Sequence, residues 1–237
     1  MAVAVVGTPA YRNEWIGSSG AQSFNYALDA SANLLLIIAL TRDLTLGNRT
    51  CATPTWAGSS TGITSAAVAD DGNRTRVEAW WLASPTTGTQ TLSVTPGGSC
   101  NGDLFAYGFS GADTVTPVEA DGDYSFGGSG TESVTAAGTS AGSMVVDAIY
   151  WSSITFSAGP TADGSQTSMI DDGTNKTASY KAGGGSVTMQ WTYTGSLFEA
   201  SGLYLVIAAG AGGGGAPTTQ YPAAPAQRNR RHWGRRF

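Results

Sequence analysis

Apolar residues recur along the chain in short runs, and turn-forming residues separate them. The runs span residues 2–6, 34–41, 74–82, 89–95, 103–110, 144–151, 186–193 and 203–209. Residues 34–41 are apolar at nearly every position, which predicts a central strand covered on both faces. In residues 74–82, Val77, Ala79 and Trp81 share one face. Residues 89–95 alternate more cleanly, with Leu92 and Val94 on one face. Residues 186–193 alternate strictly and place Val187, Met189, Trp191 and Tyr193 together. Turns are predicted at Asp71-Gly-Asn, Thr87-Gly, Pro96-Gly-Gly, Asp121-Gly-Asp, Asp163-Gly and Gly183-Gly-Gly. No stretch carries a convincing amphipathic helical period, and no internal repeat is visible.

About a dozen short strands in some 210 residues imply an all-β fold. The expected form is a two-sheet antiparallel β-sandwich of jelly-roll type. The strand pattern stops at Ala209. Residues 1–209 are therefore read as the β-sandwich domain, 210–227 as a Gly/Pro-rich linker arm, and 228–237 as an arginine-rich anchor peptide.

Composition agrees with that division. The chain has 237 residues, 33 of them Gly, and only 12% are charged. Many glycines disfavour long helices and suit tight turns. The net charge of −5 hides a segregation. Five of the 12 basic residues lie in 228–237, which leaves seven against all 17 acids, a balance of −10, in residues 1–227. An acidic body with a basic tip points to an interaction tail. The tip holds Arg228, Arg230, Arg231, His232, Trp233, Arg235, Arg236 and Phe237, which combine planar charge with aromatic anchors. Docking into an acidic groove of a larger assembly is the preferred reading. Nucleic acid is a poorer one, because phosphates would repel the acidic body. A solubilising end leaves Trp233 and Phe237 unexplained.

Catalytic chemistry is scarce. The one histidine, His232, lies in the tail, so no Ser-His-Asp or Cys-His arrangement exists in the domain. No phosphate loop and no zinc spacing occurs. Glu78 and Asp147, both on predicted strands, are the carboxylate pair that a glycosidase reading would use. Asp70-Asp71-Gly-Asn73 and Glu119-Ala-Asp121-Gly-Asp123 are oxygen-rich, but neither matches the twelve-residue calcium loop. Catalytic residues, metal and cofactor are accordingly expected to be none. Cys51 and Cys100 are compatible with one disulfide, and free thiols are the preferred reading. Three Asn-x-Thr triplets, at Asn48, Asn73 and Asn175, are ordinary in a Thr-rich chain. Trp80-Trp81 and Tyr150-Trp151 put neighbouring rings on opposite strand faces, so one ring of each pair is a candidate glycan or subunit contact.

Residues 1–9 lack a basic leader and a long apolar segment, so no cleaved signal is expected. The apolar run at 34–40 is too short to span a membrane as a helix.

Four stretches together resemble a β-sandwich module of tailed-bacteriophage structural proteins. They are residues 33–40 (NLLLIIAL), 76–95 (RVEAWWLASPTTGTQTLSVT), 106–118 (AYGFSGADTVTPV) and 142–147 (GSMVVD). The resemblance covers about residues 20–209 and describes strands and turns, so no functional residue carries over from it. Similar modules also occur in some bacterial surface proteins. The resemblance implies a non-enzymatic virion protein, assembled in the host cytoplasm: a capsid decoration, head-fibre or tail accessory component. Other virion proteins are the implied partners, with a homo-oligomer such as a trimer and no membrane. A carbohydrate-binding adhesin acting on a host glycan is the alternative.

Overall fold

A computed structural model describes residues 1–43, 49–126, 130–171 and 175–211. Its fourteen strands are β1 (Ala4–Ser18), β2 (Gln22–Leu28), β3 (Leu34–Arg42), β4 (Thr55–Trp56), β5 (Ile63–Asp70), β6 (Thr75–Ala83), β7 (Gly88–Val94), β8 (Cys100–Ser110), β9 (Val118–Asp123), β10 (Thr131–Thr139), β11 (Met144–Ala162), β12 (Thr167–Asp171), β13 (Lys176–Ala182) and β14 (Gly185–Ile207). The antiparallel β-sandwich expected from the sequence is what forms.

The central sheet has the order β1-β8-β3-β6-β5. Strand β3 sits in the middle, and every residue from Leu34 to Leu40 is fully buried. Even-numbered residues Leu34, Leu36, Ile38 and Leu40 point into one cluster, joined by Phe105, Tyr107 and Phe109 of β8. Odd-numbered Leu35, Ile37 and Ala39 point into another, with Leu104 and Ala106 of β8 and Trp80 of β6. A sheet apolar on both faces needs a layer on each side. Two sheets were expected, and three are present for this reason.

The larger cover has the order β10-β14-β11-β13-β12, with β9 also paired to β14. It supplies Met144, Val146, Ala148, Leu203, Leu205 and Ile207 to the first cluster. The smaller cover, β2-β7-β4, supplies Tyr26, Leu28, Trp56, Leu92 and Val94 to the second. The layers divide along the chain. Strands β1 to β8 make the central and small sheets, and β9 to β14 make the large cover.

The large cover also curls over itself. In the first half of β14, Val187, Met189, Trp191 and Tyr193 bury against Val145, Ile149 and Trp151 of β11. In its second half, residues of the same parity enter the central cluster instead. The change of face comes between the two halves, at Gly195 with φ +143° and opposite four register shifts in β11 from Ser152 to Thr161. One long ribbon thereby makes a third apolar cluster from its own two ends.

Asp121-Gly-Asp123 reads as a turn in the sequence, yet it lies within β9 and pairs with β14. Gly122 stands opposite Tyr204, and a Cβ there would come within 2.6 Å of that ring. The glycine serves as the bed for an aromatic side chain rather than as a bend.

Polar contacts fix the central sheet to the large cover. Lys176 of β13 pairs with Asp103 of β8 at 3.0 Å, both buried. The Thr75 and Ser201 hydroxyls meet at 2.8 Å, and the Asn73 amide donates to Glu199 at 2.6 Å.

Two substitutions test this packing by thermal and denaturant unfolding. In Gly102→Ala the new methyl would meet the Leu40 carbonyl oxygen at 2.6 Å and the Trp15 ring, and a loss of about 1–3 kcal/mol is expected. Lys176→Met removes the cation from buried Asp103, and should cost about 3–5 kcal/mol. Pairing it with Asp103→Leu should recover much of that loss.

Candidate functional site

Glu78 and Asp147 do not converge. Glu78 lies on the small-sheet side of β6, like Trp80 two residues on. Its Oε2 accepts the Cys51 N–H at 2.6 Å, and its Oε1 accepts from Arg76 at 2.8 Å. Asp147 is on β11 and faces the curled interior of the large cover, with the whole central cluster between the two. A two-carboxylate hydrolytic site is not assembled from this pair.

Asp147 is instead a structural hub. Tyr124 Oη donates to Oδ2 at 2.6 Å and Trp191 Nε1 to the same oxygen at 2.8 Å. Ser179 donates to Oδ1 through its N–H at 2.9 Å and its hydroxyl at 2.6 Å. The carboxyl thus joins β11, β13, β14 and the segment after β9. Burial pushes its pKa above the ordinary carboxyl value, and the donors from Ser179, Tyr124 and Trp191 pull against that.

In the oxygen-rich segments, Asp70, Asp71 and Glu119 accept hydrogen bonds from backbone N–H groups. Asp71 Oδ1 accepts from the N–H groups of Asn73, Arg74 and Thr75 at 2.7–3.0 Å. Asp70 caps Gly72 N–H and pairs with Arg76, and Glu119 accepts from Ser140 N–H. Asp121 and Asp123 stand exposed on one face of β9, both with pKa values raised, first by burial. Among the described residues no three His, Cys, Asp or Glu side chains group to hold a metal.

The candidate contact rings are placed inside. Trp80, Tyr150 and Trp151 are 5%, 1% and 0% exposed, and Trp81 packs half-buried on the central cluster. The outward ring that alternation predicts for each pair is covered, because the third sheet and the curled ribbon shelter the second face. Trp151 is anchored through Nε1 to Thr177 Oγ1 at 2.8 Å. Cys51 and Cys100 are free thiols within the same apolar cluster, and burial pushes both above the ordinary thiol range. The anchor residues Arg228, Arg230, Arg231, His232, Trp233, Arg235, Arg236 and Phe237 lie outside the described residues. The base of the arm is described. Gly210 N–H donates to Gly111 O at 2.8 Å, and its carbonyl receives the Met1 amine at 3.4 Å. Met1 and Val115 are exposed at 73% and 83%.

A cavity of about 550 Å³ opens on the small sheet. Asn25 of β2 and Thr89, Gln90 and Thr91 of β7 form its floor, and Thr55, Ala57 and Gly58 form a wall. The wall is a two-residue hairpin turn. Trp56 and Ser59 exchange both backbone hydrogen bonds, and Ala57 and Gly58 hold φ +53° and +80°. Such turns favour Asn-Gly, and an alanine in that left-handed conformation costs about 1–2 kcal/mol. Ala57 N–H donates to Thr91 O at 3.0 Å, which pins the turn to β7. Alternation marks Thr91 as outward, out of phase with Leu92 and Val94, but nothing in the chain places Asn25 or the 55–58 turn beside it.

No family model, curated protein or solved structure matches this chain.

Asp147 carries a pH test. Its folded pKa is raised above the unfolded value of about 3.9, so the folded state holds the proton more tightly. The stabilisation is full below the unfolded pKa and is lost as pH rises through the folded one. Asp147→Asn is neutral throughout. Denaturant unfolding from about pH 3.5 to 7 should therefore show wild-type stability falling relative to that variant.

Proposed function

We propose that this chain is a non-catalytic structural protein of a bacteriophage particle, a capsid decoration or head-fibre component. The β-sandwich head stands in solvent, and residues 228–237 dock it to other virion proteins. The observation that carries the reading is the charge segregation: a −10 balance over residues 1–227 and five arginines with no acid in 228–237. The arginines of such a peptide are drawn to an acidic groove and can hold its carboxylates through two parallel hydrogen bonds each, while the tether keeps the acidic body away from that groove.

The fold is consistent with a passive head. Buried carboxyls are tied into hydrogen bonds or ion pairs, as at Asp147, Glu78 and Asp103. The arm's base meets the first residues of the chain at one pole, through Met1, Gly111 and Gly210. A head held at one pole leaves the rest of its surface to solvent. The resemblance to phage sandwich modules supplies the particle, and a homo-oligomer such as a trimer fits the same role.

The test is co-sedimentation of full-length protein and a 1–227 truncation with purified particles lacking the protein, at low and high salt. Full length should bind, more weakly as salt rises, and the truncation should not. Equal binding of both would overturn the anchor and move the interface to the head.

A further inference from the structure

We propose that the cavity on the outer face of the small sheet is a binding site for a neutral saccharide. This goes beyond anchoring and uses a different part of the molecule.

The lining decides the ligand class. None of Asn25, Thr55, Thr89, Gln90 or Thr91 is ionisable, so nothing there pairs with a phosphate, carboxylate or ammonium group. The Asn25 amide and the three threonine hydroxyls each donate and accept hydrogen bonds, the combination that vicinal sugar hydroxyls require. Threonine methyls and the Ala57 methyl offer small apolar faces to sugar C–H groups. A volume of about 550 Å³ falls within the usual range for small-ligand sites, roughly 300–1,000 Å³. The −10 balance of residues 1–227 further disfavours acidic sugars.

The site is also partly prearranged. Asn25 and Thr91 stand directly opposite on β2 and β7, and Thr91 Oγ1 donates to Asn25 Oδ1 at 2.9 Å. That bond orients the amide so that its NH₂ group remains to donate. Beneath them Trp56 anchors the wall, with Nε1 donating to Thr86 O at 3.0 Å. Above Trp56 sits Ala57, in a conformation that asparagine or glycine adopts more readily. Local strain at a cavity wall is a recurrent mark of a functional position. Here the methyl keeps the cavity open, where an asparagine side chain would enter it.

The experiment is an NMR titration of full-length protein with a panel of neutral disaccharides (lactose, cellobiose, mannobiose, chitobiose) and, as the charged control, sialyllactose. At least one neutral disaccharide should bind saturably and shift Asn25, Gln90 and Thr91 resonances, and more tightly than sialyllactose. Asn25→Ala and Thr91→Ala should each weaken it at least fivefold. Ala57→Asn should weaken it too while leaving the melting temperature unchanged or higher, which separates the cavity from stability. Absence of saturable binding across the panel would overturn the proposal, as would binding indifferent to Asn25→Ala and Thr91→Ala, or tighter binding of sialyllactose. None of these outcomes touches the docking of residues 228–237.

Discussion

A central sheet that is apolar on both faces constrains everything around it. Leu34 to Leu40 are fully buried without exception, so no face of β3 tolerates water. Burying seven such side chains is strongly favourable, at about 1.5–3 kcal/mol for each large one. The gain is realised only if both faces are covered. The small sheet covers the odd-numbered face and the large one the even-numbered face. The three-layer build follows from that need.

The two covers solve different problems. The small sheet is short, and turns its hydroxyl and amide side chains outward, at Asn25, Thr89 and Thr91. The large one needs an apolar layer of its own, because β11 is buried on both faces too, with Val145, Ile149 and Trp151 opposite Val146 and Ala148. Its ribbon curls back to supply it. The cost is a carboxyl, Asp147, enclosed with no cation among its hydrogen-bond partners. Four donated hydrogen bonds make that enclosure tolerable. Lys176 and Asp103 play the same kind of part between the layers, where a mispacked interface would strand both charges. Polar groups inside this head therefore specify how layers meet, while the apolar residues supply the driving force.

Chemistry is consequently pushed to the periphery. The side chains that alternation marked for ligand contact, Trp80, Tyr150 and Trp151, are core. What faces outward around the cavity on the small sheet is small and uncharged. The strongest charge contrast lies between the head and residues 228–237.

The chain's local pattern determined the fold class and the main core strands. Periodicity and turn chemistry act over a few residues, and strands such as β3, β8 and β14 carry them strongly. Strands β2, β5, β10, β12 and β13 mix polar with small or apolar residues without a sustained apolar run, so their pattern is too weak to stand alone. Only tertiary structure decided that a third sheet exists, and so that the second ring of each aromatic pair is buried. It also decided that Gly122 beds Tyr204 rather than turning the chain, that Glu78 and Asp147 stand apart, and that the 55–58 turn walls a cavity over β7. Alternation says which residues share a face. Which layer covers that face depends on contacts between residues far apart in the chain, and a local pattern does not encode them.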